Sequence, residues 1–388
     1  MTPKRLYLTV FFALGWLLAI GVAFQLGLAS AVGAAYRRAA SRLDWFSQRA
    51  SDAEGAALTR VRQNSRRDYL EPMQPVLQSV NALKNPPKIL FGAYDGGFPN
   101  NTAGFAELES QLRYRFPIIS FYSAWGDKPD QQFPLRMVET IDRLGSVPLI
   151  TWEPWVTDFD SRVRTNLPSK VDREYASLAA IAKGEYDFYV SPWAEAAAQF
   201  GKPIFLRFAH EMNDPYRYPW GPQNGNRPDD FIAAWRRVHD IFQKKGATNV
   251  IWVWSPHISM PWFEYYYPGD HVVDWVGIGI LNYGTVASWS RWWSLHQILD
   301  KAYPTLSKFS KPMMIVELGT LSEGGDTLVW YQQAFYQLEH TYGRIRSVIF
   351  FNQPRDVTMS AYPLNWTVGQ DPRAAEFVAK ELARLSAQ

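Results

Sequence analysis

Apolar and polar positions follow three regimes along the chain. Leu6 to Tyr36 carries no charged residue, and this uncharged run of 31 positions exceeds the roughly 20 needed to cross a bilayer as a helix. From residue 37 to about 87 apolar residues recur every three to four positions, among them Leu43, Phe46, Leu58, Val61, Leu70, Met73, Leu77 and Val80, which predicts helix until Asn85-Pro86-Pro87 stops it. Beyond Pro87, short apolar runs alternate with longer amphipathic ones, the pattern of βα units on a parallel sheet. The strand candidates are Ile89–Phe98, Phe116–Trp125, Val147–Trp155, Pro203–Asn213, Asn249–His257, Val273–Tyr283, Pro312–Thr320 and Ser347–Pro354. Segments such as Pro228–Lys245 and Thr327–Tyr342 carry helical spacing between them. Eight strands with helices between predict an α/β fold, a (β/α)8 TIM barrel over residues 88–388, preceded by an N-terminal transmembrane helix (1–36) and a helical stalk or linker (37–87).

The first segment is expected to stay as an anchor through residues 6–36, although the small residues Ala29, Ser30 and Ala31 leave cleavage as a signal segment open. Lys4 and Arg5 on one side face Arg37, Arg38, Arg42 and Arg49 on the other, so flanking charge alone favours a cytoplasmic body. The chemistry below favours a periplasmic or extracellular one and carries more weight.

Composition narrows the choices. With 47% hydrophobic and 20% charged residues the chain can bury a large core. A net charge of +3, from 40 basic and 37 acidic residues, is too small and dispersed for a nucleic-acid partner. The absence of cysteine removes disulfides, thiolate nucleophiles and Cys-ligated metals. Aromatic content is high, with 17 Trp, 20 Tyr and 23 Phe, which makes stacking surfaces for flat apolar ligand faces worth seeking.

Chemistry concentrates at the carboxyl ends of the strand candidates, where a barrel of this kind carries its active site. Tyr94-Asp95, Tyr122 and Trp125, Glu153 and Trp155, His210-Glu211, Trp254 and His257, Asn282-Tyr283, Glu317 and Asn352 all fall there. Glu211 ends the fourth run and Glu317 the seventh, so two carboxylates can face each other across a cleft. Glycosidic cleavage needs such a pair, one protonated acid for the leaving oxygen and one ionised group to attack or to activate water. Arg207 lies four residues before Glu211, so period-2 alternation aims both inward, and a buried guanidinium there needs a partner such as Glu317. That pairing keeps Glu317 ionised, whereas an acid at Glu211 needs a raised pKa.

The string Leu206-Arg207-Phe208-Ala209-His210-Glu211-Met212-Asn213, followed by Tyr218-Pro219-Trp220-Gly221, resembles glycoside hydrolase family 26, as does Ile315-Val316-Glu317-Leu318-Gly319. The resemblance covers roughly residues 88–380 and implies a (β/α)8 barrel and a retaining double displacement on a β-linked polysaccharide. It implies Glu211 as acid/base, Glu317 as nucleophile, His210 as a sugar contact beside the acid/base, and Tyr283 as the tyrosine that hydrogen-bonds the nucleophile. Ile150-Thr151-Trp152-Glu153-Pro154-Trp155 is similar to a segment of the family's glucanase-like members, so β-glucan is favoured over β-mannan. Substrate contacts are therefore expected from His210, Arg207, Asn213, Tyr283, Trp155, Trp220 and Trp254, with Trp125, Trp152 and Trp262 as further groove candidates. Two departures stand out. Asp214 replaces the glycine that commonly follows Asn213, and Phe350-Phe351-Asn352-Gln353 replaces a usual tryptophan platform.

Other chemistries lack their motifs. His210-Glu211 has no second His at zinc-protease spacing, Gly277-Ile278-Gly279 lacks the third glycine of a dinucleotide loop, and no Gly-x-Ser-x-Gly elbow occurs. No metal site and no cofactor is expected. The reading is a membrane-anchored endo-β-glycanase, with machinery for polysaccharide synthesis or export as an expected neighbour. A non-catalytic saccharide-binding scaffold and a transglycosylase are the alternatives on the same barrel.

Overall fold

A computed structural model of the chain describes residues 70–97, 103–358, 360 and 362–387, all within one compact unit spanning 57–388. The expected membrane segment and residues 37–69 of the expected stalk lie outside the described residues. Among the described residues no helix is long and apolar enough to cross a membrane.

The body is a closed barrel of eight parallel strands in sequence order. They are β1 (Leu90–Asp95), β2 (Ile118–Ala124), β3 (Val147–Glu153), β4 (Ile204–Phe208), β5 (Val250–Trp254), β6 (Trp275–Asn282), β7 (Met313–Thr320) and β8 (Ile345–Asn352). Helices α1 (Gln74–Leu77) and α2 (Val80–Lys84) precede β1, and α3 (Ala103–Gln111) and α4 (Leu135–Arg143) follow β1 and β2. The excursion after β3 holds α5 (Lys170–Glu174), α6 (Ser177–Lys183) and α7 (Asp187–Phe200). The outer layer closes with α8 (Pro228–Lys244), α9 (Leu295–Leu299), α10 (Tyr303–Leu306), α11 (Thr327–His340) and α12 (Pro372–Ala387). Strands buried on both faces are apolar almost throughout, which is why all eight show as apolar runs.

Alternation along the strands sorts residues into two cores. Ile204, Leu206 and Phe208 of β4 and Val250, Trp252 and Trp254 of β5 point outward to the helices, while Phe205, Ile251 and Val253 point into the barrel. The interior cluster is closed from below by Leu70, Leu77 and Leu83 of the segment before β1. Trp275 Nε1 donates to Leu83 O at 3.0 Å, Gln74 Nε2 to Gly145 O at 3.2 Å, and Lys84 pairs with Asp274 at 2.9 Å. Residues 70–84 thus form short, broken helical turns seated under the barrel. Much of the aromatic surplus fills the outer layer, where Trp125, Trp152, Trp193 and Phe242 interlock as ring pairs 4.4–5.9 Å apart.

Candidate active site

A one-residue irregularity places Glu317. Ile278 of β6 pairs with Ile315, but the next residue, Gly279, pairs with Glu317, so Val316 is an extra residue in β7. The ladder to β8 shifts over the same stretch, between Ile315 and Leu318. Met314 and Val316 face the interior, and strict alternation would turn Glu317 to the helices; the bulge resets the phase and turns it inward. There its Oε1 accepts from Arg207 Nη2 at 2.7 Å and from the Tyr122 hydroxyl at 2.6 Å. The ion pair expected of Arg207 is therefore present, with its side chain only 2% exposed. Burial alone raises the Glu317 pKa, but the Arg207 charge and the two hydrogen bonds outweigh it and hold the carboxyl below its ordinary value.

Glu211 lies just past the end of β4, where the predicted strand through Asn213 stops short. Ala209 (φ 44°) and Glu211 (φ 54°) adopt the left-handed conformation that side-chain-bearing residues avoid. Their N–H groups reach the neighbouring strands, Ala209 N to Trp152 O at 3.1 Å and Glu211 N to Ser255 O at 2.7 Å. The chain pays in backbone strain, roughly 1–3 kcal/mol per residue, to swing this carboxylate over the barrel mouth. Its Oε2 accepts from Arg217, whose Nε donates to Asp214 Oδ2 at 2.6 Å. Burial pushes the Glu211 pKa up to about 7, with Glu317 adding and Arg217 opposing. The point where a Cβ on Gly279 would sit lies 3.7 Å from Glu211 Oε1 and 3.8 Å from Glu317 Oε2. The two carboxylates thus share one cleft floored by a residue without a side chain, one biased toward the acid and one toward the anion.

Around this pair the predicted contacts divide. His210 is buried, with Nε2 3.0 Å from the Tyr218 hydroxyl and its pKa driven well down by burial and then by Arg207 and Arg217, so it is a neutral ring beside Glu211. Trp155 is half-buried and donates from Nε1 to Glu153 Oε2 at 3.2 Å, which keeps it at the mouth. Asn213 is buried and its amide is spent on backbone, donating to His257 O (3.1 Å) and Met260 O (3.3 Å) and accepting from His257 N (2.7 Å); it pins the β5 loop and does not offer a sugar contact. Trp254 and Trp220 are also corrected. Trp254 points outward and packs against Tyr267 and Phe309, because alternation with inward Val253 demands it. Trp220 is fully buried, stacked on Tyr218 at 4.7 Å, with Nε1 donating to His210 O at 2.7 Å, so it supports the site from behind. Trp125 and Trp152 are core residues as well. Trp262, by contrast, is 64% exposed on the β5 loop.

The hydrogen bond expected of Tyr283 comes from Tyr122. Tyr283 instead packs edge-on against Trp289 (5.2 Å) and Trp366 (4.9 Å). Tyr94, stacked on Phe351 at 5.0 Å and edge-on to Tyr122 at 5.2 Å, completes an aromatic wall beside Glu317. Glu153, at the end of β3, is a third carboxyl facing the site, pushed up to about 7 mainly by burial. Ligand atoms of Glu211, Asp214 and His257 converge within 4.8 Å, a spacing that suits a divalent cation. The Arg217 guanidinium already bonds both carboxylates, and His257 is held down at about 4 by burial and Arg217, so the positive charge at this point is the arginine's own.

Known proteins resemble this chain in the same region. The model of glycosyl hydrolase family 26 matches residues 170–320, which contain both glutamates. Endoglucanase H of Acetivibrio thermocellus is 29% identical over 293 residues, 73% of this chain and 29% of that protein. Mannan endo-1,4-beta-mannosidase of Bacillus subtilis is 27% identical over 131 residues, 32% of this chain and 33% of that protein. The chain spans a third or less of the length of these curated relatives. Among solved structures, the family 26 β-mannanase BoMan26A of Bacteroides ovatus superposes with a TM-score of 0.55 at 20% identity, covering 79% of this chain and 92% of that one. The catalytic domain of the endo-β-1,4-mannanase of Bacillus sp. JAMB-750 gives 0.54 at 18% identity, covering 80% and 90%. In sequence across both glutamates, the chain is similar to glycosyl hydrolase family 26, and in fold across the barrel it is similar to these solved structures.

Proposed function

We propose that the protein is a retaining endo-β-glycanase in which Glu317 is the nucleophile and Glu211 the acid/base. The observation that carries this reading is the opposed bias of two carboxyls in one cleft, Glu211 raised to about 7 and Glu317 lowered by Arg207 and Tyr122. In the first step Glu317 attacks the anomeric carbon while Glu211 protonates the departing glycosidic oxygen, leaving a glycosyl ester on Glu317 and a freed sugar hydroxyl. In the second, Glu211, now ionised, takes a proton from water as its oxygen attacks the same carbon and releases Glu317. Arg207 and Tyr122 keep the nucleophile anionic, and burial keeps on Glu211 the proton that it donates.

A β-glucan is the favoured substrate. The Trp152-Glu153-Pro154-Trp155 segment puts a carboxyl and an indole, bonded to each other, at the mouth beside Glu317, and the endoglucanase resemblance runs over more of the chain than the mannanase one. The uncharged run at residues 6–36 supports an anchored enzyme whose body meets its polymer outside the cytoplasm, beside the machinery that makes or exports it.

Reducing-end release by the full chain on mixed-linkage β-glucan, β-1,3-glucan, cellulose derivatives, mannan and xylan tests the proposal. Cleavage of β-glucan with retention of anomeric configuration is expected, and Glu317→Gln and Glu211→Gln should each lower the rate by about 10²–10⁴-fold. Binding without cleavage, or cleavage that survives both substitutions, sinks it.

A further inference from the structure

The two oxygens of Glu211 are not equivalent. Oε1 looks across the Gly279 floor toward Glu317, whereas Oε2 is held by Arg217. Arg217 is itself fixed from several sides. Its Nε donates to Asp214 Oδ2 at 2.6 Å, and Asp214, with a side chain 3% exposed, accepts from Tyr216 N through Oδ1 at 2.9 Å. Its guanidinium carbon lies 5.5 Å from the centre of the Tyr218 ring, and Tyr218 in turn meets His210. A guanidinium only donates hydrogen bonds, so an oxygen facing it serves as acceptor and the carboxylic proton belongs on the other oxygen.

We infer that Arg217, tethered by Asp214, is a positioning residue that reserves Oε2 of Glu211 as an acceptor and so makes Oε1 the oxygen that delivers the proton to the leaving group and later takes one from water. The inference rests on the acid/base role proposed for Glu211. It also gives Arg217 a second effect, since its charge favours the ionised form needed in the hydrolysis step and opposes the burial that favours the acid. The other charged and titratable groups acting on Glu211 are Glu317 from β7, Arg207 from β4, and Asp214 and Tyr218 from its own loop, with His257 of the β5 loop against Arg217 and Tyr283 at the end of β6. Of these, Arg217 is the cation in direct contact with Glu211.

The test compares Arg217→Met, Arg217→Gln and Arg217→Lys in the full chain. The Glu211 carboxyl is titrated directly by infrared difference against Glu211→Gln, and the pH dependence of kcat/KM is measured on the polymer the wild type cuts. An opposite charge within about 4–6 Å lowers a carboxyl pKa by roughly 1–3 units, so Arg217→Met and Arg217→Gln should raise both the infrared titration and the alkaline limb by about that much. Arg217→Lys, which keeps the charge, should move them by less than half as far. The glutamine variant carries the question if the methionine variant does not fold. An infrared titration unmoved in both uncharged variants overturns the role of Arg217. A wild type inactive on every polymer overturns instead the acid/base reading, and the infrared result separates the two failures.

Discussion

The two ends of the barrel are built on opposite terms. At the amino-terminal end, Leu70, Leu77 and Leu83 meet inward apolar residues, and hydrogen bonds to Gly145 O and Leu83 O and an ion pair with Asp274 tie the plug to the barrel. At the carboxyl end, two arginines and at least three carboxyls share a small buried space, and the backbone is held left-handed at Ala209, Glu211 and Trp262. The lower end lets apolar burial dominate, and the upper end spends stability on buried charge; left-handed backbone occurs at both, at Arg113 and Ser310 below, but only above does it carry one of the paired carboxylates. A catalytic rim of this kind persists only because the sealed end over-determines the strands that carry it.

Changes at the sealed end should cost stability and spare chemistry. Leu83→Ala removes a fully buried side chain at the plug and should destabilise the protein by about 2–5 kcal/mol, read by thermal or denaturant unfolding, with kcat/KM at 25 °C unchanged. A comparable loss of activity without loss of stability would break the contrast.

Changes at the rim should do the reverse. Tyr122→Phe deletes the hydroxyl bonded to Glu317 and leaves the ring in place, so the acid limb of kcat/KM should move to higher pH with little change in melting temperature. Tyr283→Phe, whose hydroxyl is not the one bonded to Glu317, should leave that limb where it is. A finer effect concerns Glu153. Its folded pKa of about 7 exceeds the roughly 4.3 of an unfolded glutamate, so the folded state keeps a proton that the unfolded state has lost between those values. Stability contributed by this group is therefore present at low pH, falls as pH rises across that window and is flat above it; Glu153→Gln should flatten the same segment of the stability–pH curve.

Sequence and structure agree where the physics is local. Eight buried parallel strands show as apolar runs, and helices over 228–244 and 327–340 show by their period. The Arg207–Glu317 pair was legible because a guanidinium inside a barrel needs a counter-charge. Trp254 was legible in principle, since alternation with Val253 sends it outward, but an aromatic residue at a strand end reads as a platform when its facing is ignored. Asn213 and Trp220 looked like ligand contacts because they sit beside Glu211, and only the tertiary fold shows their polar atoms committed to backbone. Tyr122 gave only the signal of a polar residue at a strand end. Arg217 gave less, because one arginine in a polar loop carries no period and its partners come together only when the 211–217 turn closes.

The extra residue in β7 makes the position of Glu317 a matter of counting as much as of chemistry. Straightening the bulge with Val316 retained would leave both glutamates in the polypeptide, yet it would restore the strict two-residue phase and send Glu317 among the helices, whereas removing Val316 would straighten the strand with Glu317 still opposite Gly279. Inheritance of the function therefore runs through strand phase: a descendant that keeps both glutamates but pairs the second one residue out of register inherits the letters of the site without its geometry.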